Sequence, residues 1–162
     1  MKELNDAIIV ACTWRSLPTL VIALYLGWCL AFLMHEFGHY FVALSFKVVP
    51  TSLHVGDWGP RASFDYAGTH FDIRLFCNPL GNAANFFEKG KCWWFAALLI
   101  ILAGSTVNLG TGAIFLWLGV HFQSGIALML ALASISVGIG QFTPAQGTDG
   151  WMAVQIIRLV MK

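Results

Sequence analysis

Residues 17–46 form an apolar run without Lys, Arg or Asp, and its one formal charge, Glu36, sits between His35 and His39. No other feature constrains the fold as strongly. At about 1.5 Å per residue a helix over this run is about 45 Å long, more than the roughly 30 Å of a bilayer's hydrocarbon core. Further apolar stretches of spanning length lie at about 93–120 and 124–142. Composition agrees. Of 162 residues, 58% are hydrophobic and 10% are charged, against roughly 25% charged in a soluble domain. The expected solvent is therefore the bilayer, and three or four spans would use most of the chain. A single membrane-embedded domain over residues 1–162 follows, with little left over for a separate soluble domain. The formal net charge of +1 argues against a nucleic-acid partner, which would leave a basic patch or stripe.

Punctuation refines the boundaries. Ser16 and Pro18 read as a helix start, with proline tolerated in the first turn. Trp93 and Trp94 head the second span as an interfacial pair. The stretch 143–147, with Pro144 and Gly147, interrupts the third, and Asp149-Gly150 opens a terminal helix at 149–161. That segment is too short to span independently, so it is a half-helix or a continuation of the third span. Between the first two spans, residues 47–91 hold Lys47, Arg61, Arg74, Lys89 and Lys91, and the loop-forming pairs Gly59-Pro60 and Asn78-Pro79. Within them 62–76 alternates, with Phe64 and Tyr66, a turn near Gly68, then Phe71, Ile73 and Leu75. Period-two alternation about a glycine reads as a β-hairpin. The expected architecture is an all-α polytopic membrane protein with three transmembrane helices, a short C-terminal half-helix and a small membrane-associated β-hairpin.

Basic residues in short loops set orientation. Loop 47–91 outweighs Lys2 and Arg15, so it is expected to be cytosolic, with the N-terminus and the link around His121 outside. Asp149 then returns to the cytosolic half. The expected setting is a bacterial or archaeal cytoplasmic membrane. Glu3 and Asp6 do not fit a cleaved signal peptide. Cys12, Cys29, Cys77 and Cys92 lack C-x-x-C spacing and read as small apolar thiols.

The chemistry lies in the first span. His35, Glu36 and His39 fit H-E-x-x-H, and on a helix positions i and i+4 share one face. Two imidazoles at that spacing can bind one Zn²⁺, and the adjacent glutamate can act as general base on the attacking water. Ionisable side chains inside a membrane span are costly and mark a pathway or a site. Three in five residues, at ligand spacing, are hard to explain as packing. A catalytic zinc needs a third protein ligand. The candidates are His54, His70, His121 and an acid near the membrane. Asp149 is the best placed, beside a break where irregular backbone can line a cavity; His121 is expected at the opposite face.

These residues resemble the site-2 proteases, polytopic zinc metalloproteases that cut other proteins within or near their transmembrane segments. The likeness rests on His35-Glu36-Phe37-Gly38-His39 in an early span; on Gly59-Pro60, the alternating segment and Pro79-Leu80-Gly81; on Ala103-Gly104 with Asn108; and on Pro144 with Asp149-Gly150. Ser105, Gln141, Asn82 and Thr148 differ from the family's usual Pro, Asn, Gly and Leu. The resemblance implies His35, His39 and Asp149 as zinc ligands, with Glu36 passing a proton from water to the leaving amine. It also implies that Asn108 hydrogen-bonds substrate backbone or the tetrahedral intermediate. The implied partners are a transmembrane protein or peptide substrate, such as a membrane-tethered regulator or a leftover signal peptide, and the lipid bilayer.

Two further expectations concern packing and access. The helix near Gly38 should approach a neighbour closely, and the hairpin should offer an edge on which an unwound substrate can add a strand. A two-His, one-carboxylate set also suits non-haem Fe(II), but the helical motif and adjacent Glu36 favour zinc. The competing function is a non-proteolytic zinc-binding membrane protein, a transporter or a scaffold. A scaffold has no need of Glu36, and a transporter would call for more polar side chains along its spans.

Overall fold

The computed structural model describes residues 17–76 and 93–161. Its helices are α1 (Leu17–Ser45), α2 (Trp93–His121), α3 (Gly125–Phe142) and α4 (Asp149–Val160), and its strands are β1 (Ser52–Val55), β2 (Trp58–Tyr66) and β3 (Thr69–Phe76). The first three helices are long and apolar enough to cross a membrane. Only 22%, 39% and 33% of their most apolar windows is buried inside the protein. Val21, Phe41, Ile114, Trp117, Leu132 and Ile139 stay open on their outer faces. In water such surface would drive association; in a bilayer it meets lipid. Their bounds agree with the sequence expectation to within one residue, because length and hydropathy are read along the chain.

Local chemistry ends the helices. Past Ser45, Lys47 takes a left-handed φ of 59°. The Lys47 and Val48 amides then donate to the carbonyls of Leu44 and Ala43, a Schellman closure that satisfies orphan carbonyls. Gln123, with φ 50°, closes α2 in the same way through Ser124 donating to the Gly119 carbonyl. The Ser124 hydroxyl then accepts from the Ala127 amide and caps α3.

Small residues let the helices meet. A Cβ on Gly38 would lie 3.0 Å from the Ala103 carbonyl oxygen and from the Gly104 Cα, so α1 and α2 touch nearly backbone to backbone. This is the approach expected around Gly38. Gly112 and Gly119 do the same for α2 against Ile135 and Leu128 of α3. The terminal segment is a separate helix rather than a continuation of α3. It packs Ala153 and Ile156 against Ile101 of α2.

Residues 52–76 form a three-stranded sheet in the order β1-β3-β2. The expected hairpin is β2 with β3, antiparallel and closing Tyr66 on Thr69. Its two-residue turn, Ala67 and Gly68, has positive φ at both positions, the twist that suits a tight hairpin. Two features differ from the sequence expectation. Gly59-Pro60, read as loop, lies inside β2 at a register irregularity; an outer strand tolerates proline because its N–H is not needed there. Strand β1 was not anticipated. It is only four residues long and pairs parallel with β3, a long-range pairing with no local signal. The sheet's apolar face, Leu53, Val55 and Phe71, packs on Cys29 and Tyr40 of α1. Asn78-Pro79, Pro79-Leu80-Gly81, Asn82, Lys89, Lys91, Cys77, Cys92 and the lead 1–16 lie outside the described residues.

Candidate metal centre

Helical periodicity stacks His35 and His39 on the face of α1 that meets α2. Their rings sit edge to face, with centroids 4.5 Å apart, and the two Nε2 atoms are 3.0 Å apart. Asp149 reaches the same point from the first turn of α4. Its Oδ2 lies 3.0 Å from His35 Nε2 and 3.5 Å from His39 Nε2. His35, Glu36, His39 and Asp149 are 2%, 7%, 7% and 4% exposed.

The break after α3 delivers Asp149. Thr148 caps α4, its hydroxyl accepting from the Trp151 amide and donating to the carbonyls of Ala145 and Thr143. Gly147 takes φ 90° and turns the chain. Gly150 is needed for space, because a Cβ there would run into the carbonyls of Phe142 and Thr143. A carboxylate in the first turn also suits the helix dipole.

Helix α2 contributes no atom to this trio, yet it touches each member. The Ile100 carbonyl oxygen is 2.6 Å from His39 Nδ1. A carbonyl can only accept, so Nδ1 carries the proton and Nε2 presents its lone pair to the centre. The Ser105 hydroxyl donates to Asp149 Oδ2 at 3.2 Å. The Asn108 amide lies 3.4 Å from His35 Nδ1. Ser105 and Asn108 are both fully buried. Gly104 makes the approach possible, since a Cβ there would stand 2.6 Å from His39 Nε2 and 2.7 Å from His35 Cε1.

This arrangement fits a metal ion. His35, His39 and Asp149 form a buried group whose ligand atoms lie within 4.8 Å of one another, and it can hold a metal. Four ligands placed tetrahedrally at about 2.0–2.1 Å from zinc stand roughly 3.3–3.4 Å from each other. The observed edges of 3.0, 3.0 and 3.5 Å bracket that figure. His39 Nε2 and Asp149 Oδ2 are both acceptors, and a cation between them and His35 Nε2 satisfies the three together.

The other candidates for a third ligand are elsewhere. His54 faces Asp72 in the sheet at 3.3 Å, and His70 faces Asp65 at 2.7 Å. His121 ends α2, stacked on Trp117, about 20 Å along the helix from Asn108. Ser105 was noted in the sequence only as a departure from a proline, and its contact with Asp149 was missed. A small hydroxyl three residues before a buried Asn, on an apolar helix, was the available signal.

Three helices of spanning length and a buried His-His-Asp group where α1, α2 and α4 meet define an integral membrane protein with a centre able to hold a metal. The sequence profile of Peptidase family M50, the site-2 protease family, matches residues 22–161, and the chain belongs to that family. Membership of that family implies a metallopeptidase. No curated protein matches the chain.

Proposed function

We propose that the protein is an intramembrane zinc metalloprotease that hydrolyses peptide bonds within or near transmembrane segments of membrane-protein substrates. The observation that carries this reading is the convergence of His35, His39 and Asp149 beside Glu36, inside helices whose outer faces suit lipid. In this reading those three residues hold the zinc. A bound zinc ion supplies Lewis acidity, which makes water nucleophilic near neutral pH and polarises the scissile carbonyl.

The chain's own residues do the rest. Glu36, next to His35 on the same helix, takes the proton from water and returns it to the leaving amine. Ile100 and Ser105 keep the His39 ring and the Asp149 carboxylate aimed at the centre. Burial among apolar helices keeps the local dielectric low and strengthens each of these interactions. A substrate helix hides its amides in internal bonds, so it must unwind before cleavage. The outer edge of β2, exposed along its length, suits strand addition by the unwound segment.

Metal content by elemental mass spectrometry on detergent-purified protein tests the centre. Wild type should carry about one zinc per chain, lost in His35→Ala and Asp149→Ala and kept in His121→Ala. Glu36→Gln should keep zinc and lose cleavage of a tagged single-span substrate. Zinc retained without Asp149 would remove that ligand, and undiminished cleavage by Glu36→Gln would remove the base.

A further inference from the structure

We propose that Asn108 is a positioning residue whose side-chain oxygen accepts from His35 Nδ1–H, holding the His35 ring in the tautomer that points a lone pair at the metal. The inference rests on the zinc reading above and concerns how the chain prepares its own ligand.

The argument starts from His35. Its Nε2 faces His39 Nε2 and Asp149 Oδ2, each 3.0 Å away, so Nε2 is the atom turned toward the centre. A neutral imidazole carries one proton, and if Nε2 gives its lone pair to a metal the proton is on Nδ1. A buried N–H needs an acceptor. Asn108 is the polar side chain at that nitrogen, 3.4 Å away.

With its nitrogen toward His35, the amide would set two donors against each other. The Asn108 oxygen Oδ1, meanwhile, is buried without a hydrogen-bond partner. The nitrogen and oxygen of an amide are assigned from the network around them and exchange by a half-turn about the last torsion. That half-turn resolves both problems at once. Oδ1 receives the Nδ1 proton, and the buried orphan disappears.

The result matches what α2 does for the other histidine. Ile100 offers a backbone carbonyl to His39 Nδ1, and Asn108, two helical turns further on, offers a side-chain carbonyl to His35 Nδ1. Partners of this kind fix ring orientation and raise ligand basicity, and their loss typically weakens metal affinity by about 10–100-fold. This is a different role from hydrogen bonding to substrate, in which Asn108 would act as a donor and zinc affinity would not depend on it.

The two roles separate in an acceptor test. Asn108→Leu keeps the shape and removes the acceptor, whereas Asn108→Asp keeps an acceptor and removes the donor. Zinc affinity is measured by competition with a chelator on full-length protein in detergent, with melting of the zinc-free protein as a check on folding. The expected result is a loss of about 10–100-fold in Asn108→Leu and near wild-type affinity in Asn108→Asp. Equal zinc affinity in wild type and both variants, with cleavage lost, overturns the inference and leaves the zinc reading intact. A wild type that binds no zinc overturns both. If the variants fail to fold, nitrogen NMR of histidine-labelled, zinc-loaded wild type decides. A His35 Nδ1 proton at the low-field shift of a hydrogen-bonded imidazole N–H supports the inference, and one at the shift of a free N–H overturns it.

Discussion

Two regions of this protein pair histidine with aspartate, and they do so in opposite surroundings. Between α1, α2 and α4, His35, His39 and Asp149 turn inward and are buried. On the polar face of the sheet, His54 meets Asp72, and His70 meets Asp65 and Ser63, with both histidines open to solvent. The sheet's strongest contact is a fork, with Arg61 Nε and Nη2 donating to the two oxygens of Asp72 at 2.7 and 3.0 Å. That pairing holds the Asp72 carboxyl below the usual carboxylate range and raises Arg61 above its ordinary value. In the sheet each aspartate already has a proton-bearing partner. At the centre, three donor atoms crowd one point beneath a helix that supplies orienting hydrogen bonds. Residue type alone does not make a metal site; convergence and burial do.

The largest test of this contrast exchanges the two sets. His54→Ala and His70→Ala should leave zinc at about one per chain, whereas His39→Ala should abolish it. Zinc that follows the sheet histidines in elemental analysis would break the comparison outright.

A smaller effect probes how tightly α2 is pressed against the centre. Gly104→Ala would put a methyl 2.6 Å from His39 Nε2. Overpacking of this kind costs about 1–3 kcal/mol, and zinc affinity should fall with stability. Gly110, on the same helix, has nothing within 4 Å of a Cβ. Gly110→Ala should keep zinc and stabilise the helix by about 0.5–1 kcal/mol, the usual penalty for glycine. Equal zinc affinity in the two variants, measured by chelator competition, would show that the close approach is not needed.

The smallest effect belongs to the sheet. A carboxyl with a depressed folded pKa adds stability above its unfolded value near 3.9 and loses it as pH falls through the folded value. Arg61→Gln removes the chief cause of the depression. The Asp72 titration, followed by carbon NMR, should then move up toward the ordinary range with zinc content unchanged. Because the pair is near the surface, the change in stability should be slight. A zinc loss in this variant would couple two regions that the comparison holds apart.

The legibility of each part follows from the range of the interactions behind it. The spans could be read because hydropathy over about 20 residues reports the solvent directly. The His35–Glu36–His39 face could be read because i and i+4 are neighbours on any helix. The β2–β3 hairpin could be read because alternation and a turn glycine are local, whereas the parallel pairing of β1, whose Leu53 aligns with Phe71, is not. Asp149 stood in between, best placed among several acids and histidines and raised further by family resemblance.

By itself, then, the sequence determined the bilayer as solvent, the helix that carries the histidine pair, and the family to which the chain belongs. Only the tertiary structure decided that Asp149, rather than His54, His70 or His121, meets that pair, and that Ile100, Ser105 and Asn108 line up behind the three. Those contacts join residues 44 to 114 positions apart in the chain. Their geometry depends on how closely α1 and α2 approach at Gly38 and Gly104, which no local pattern encodes.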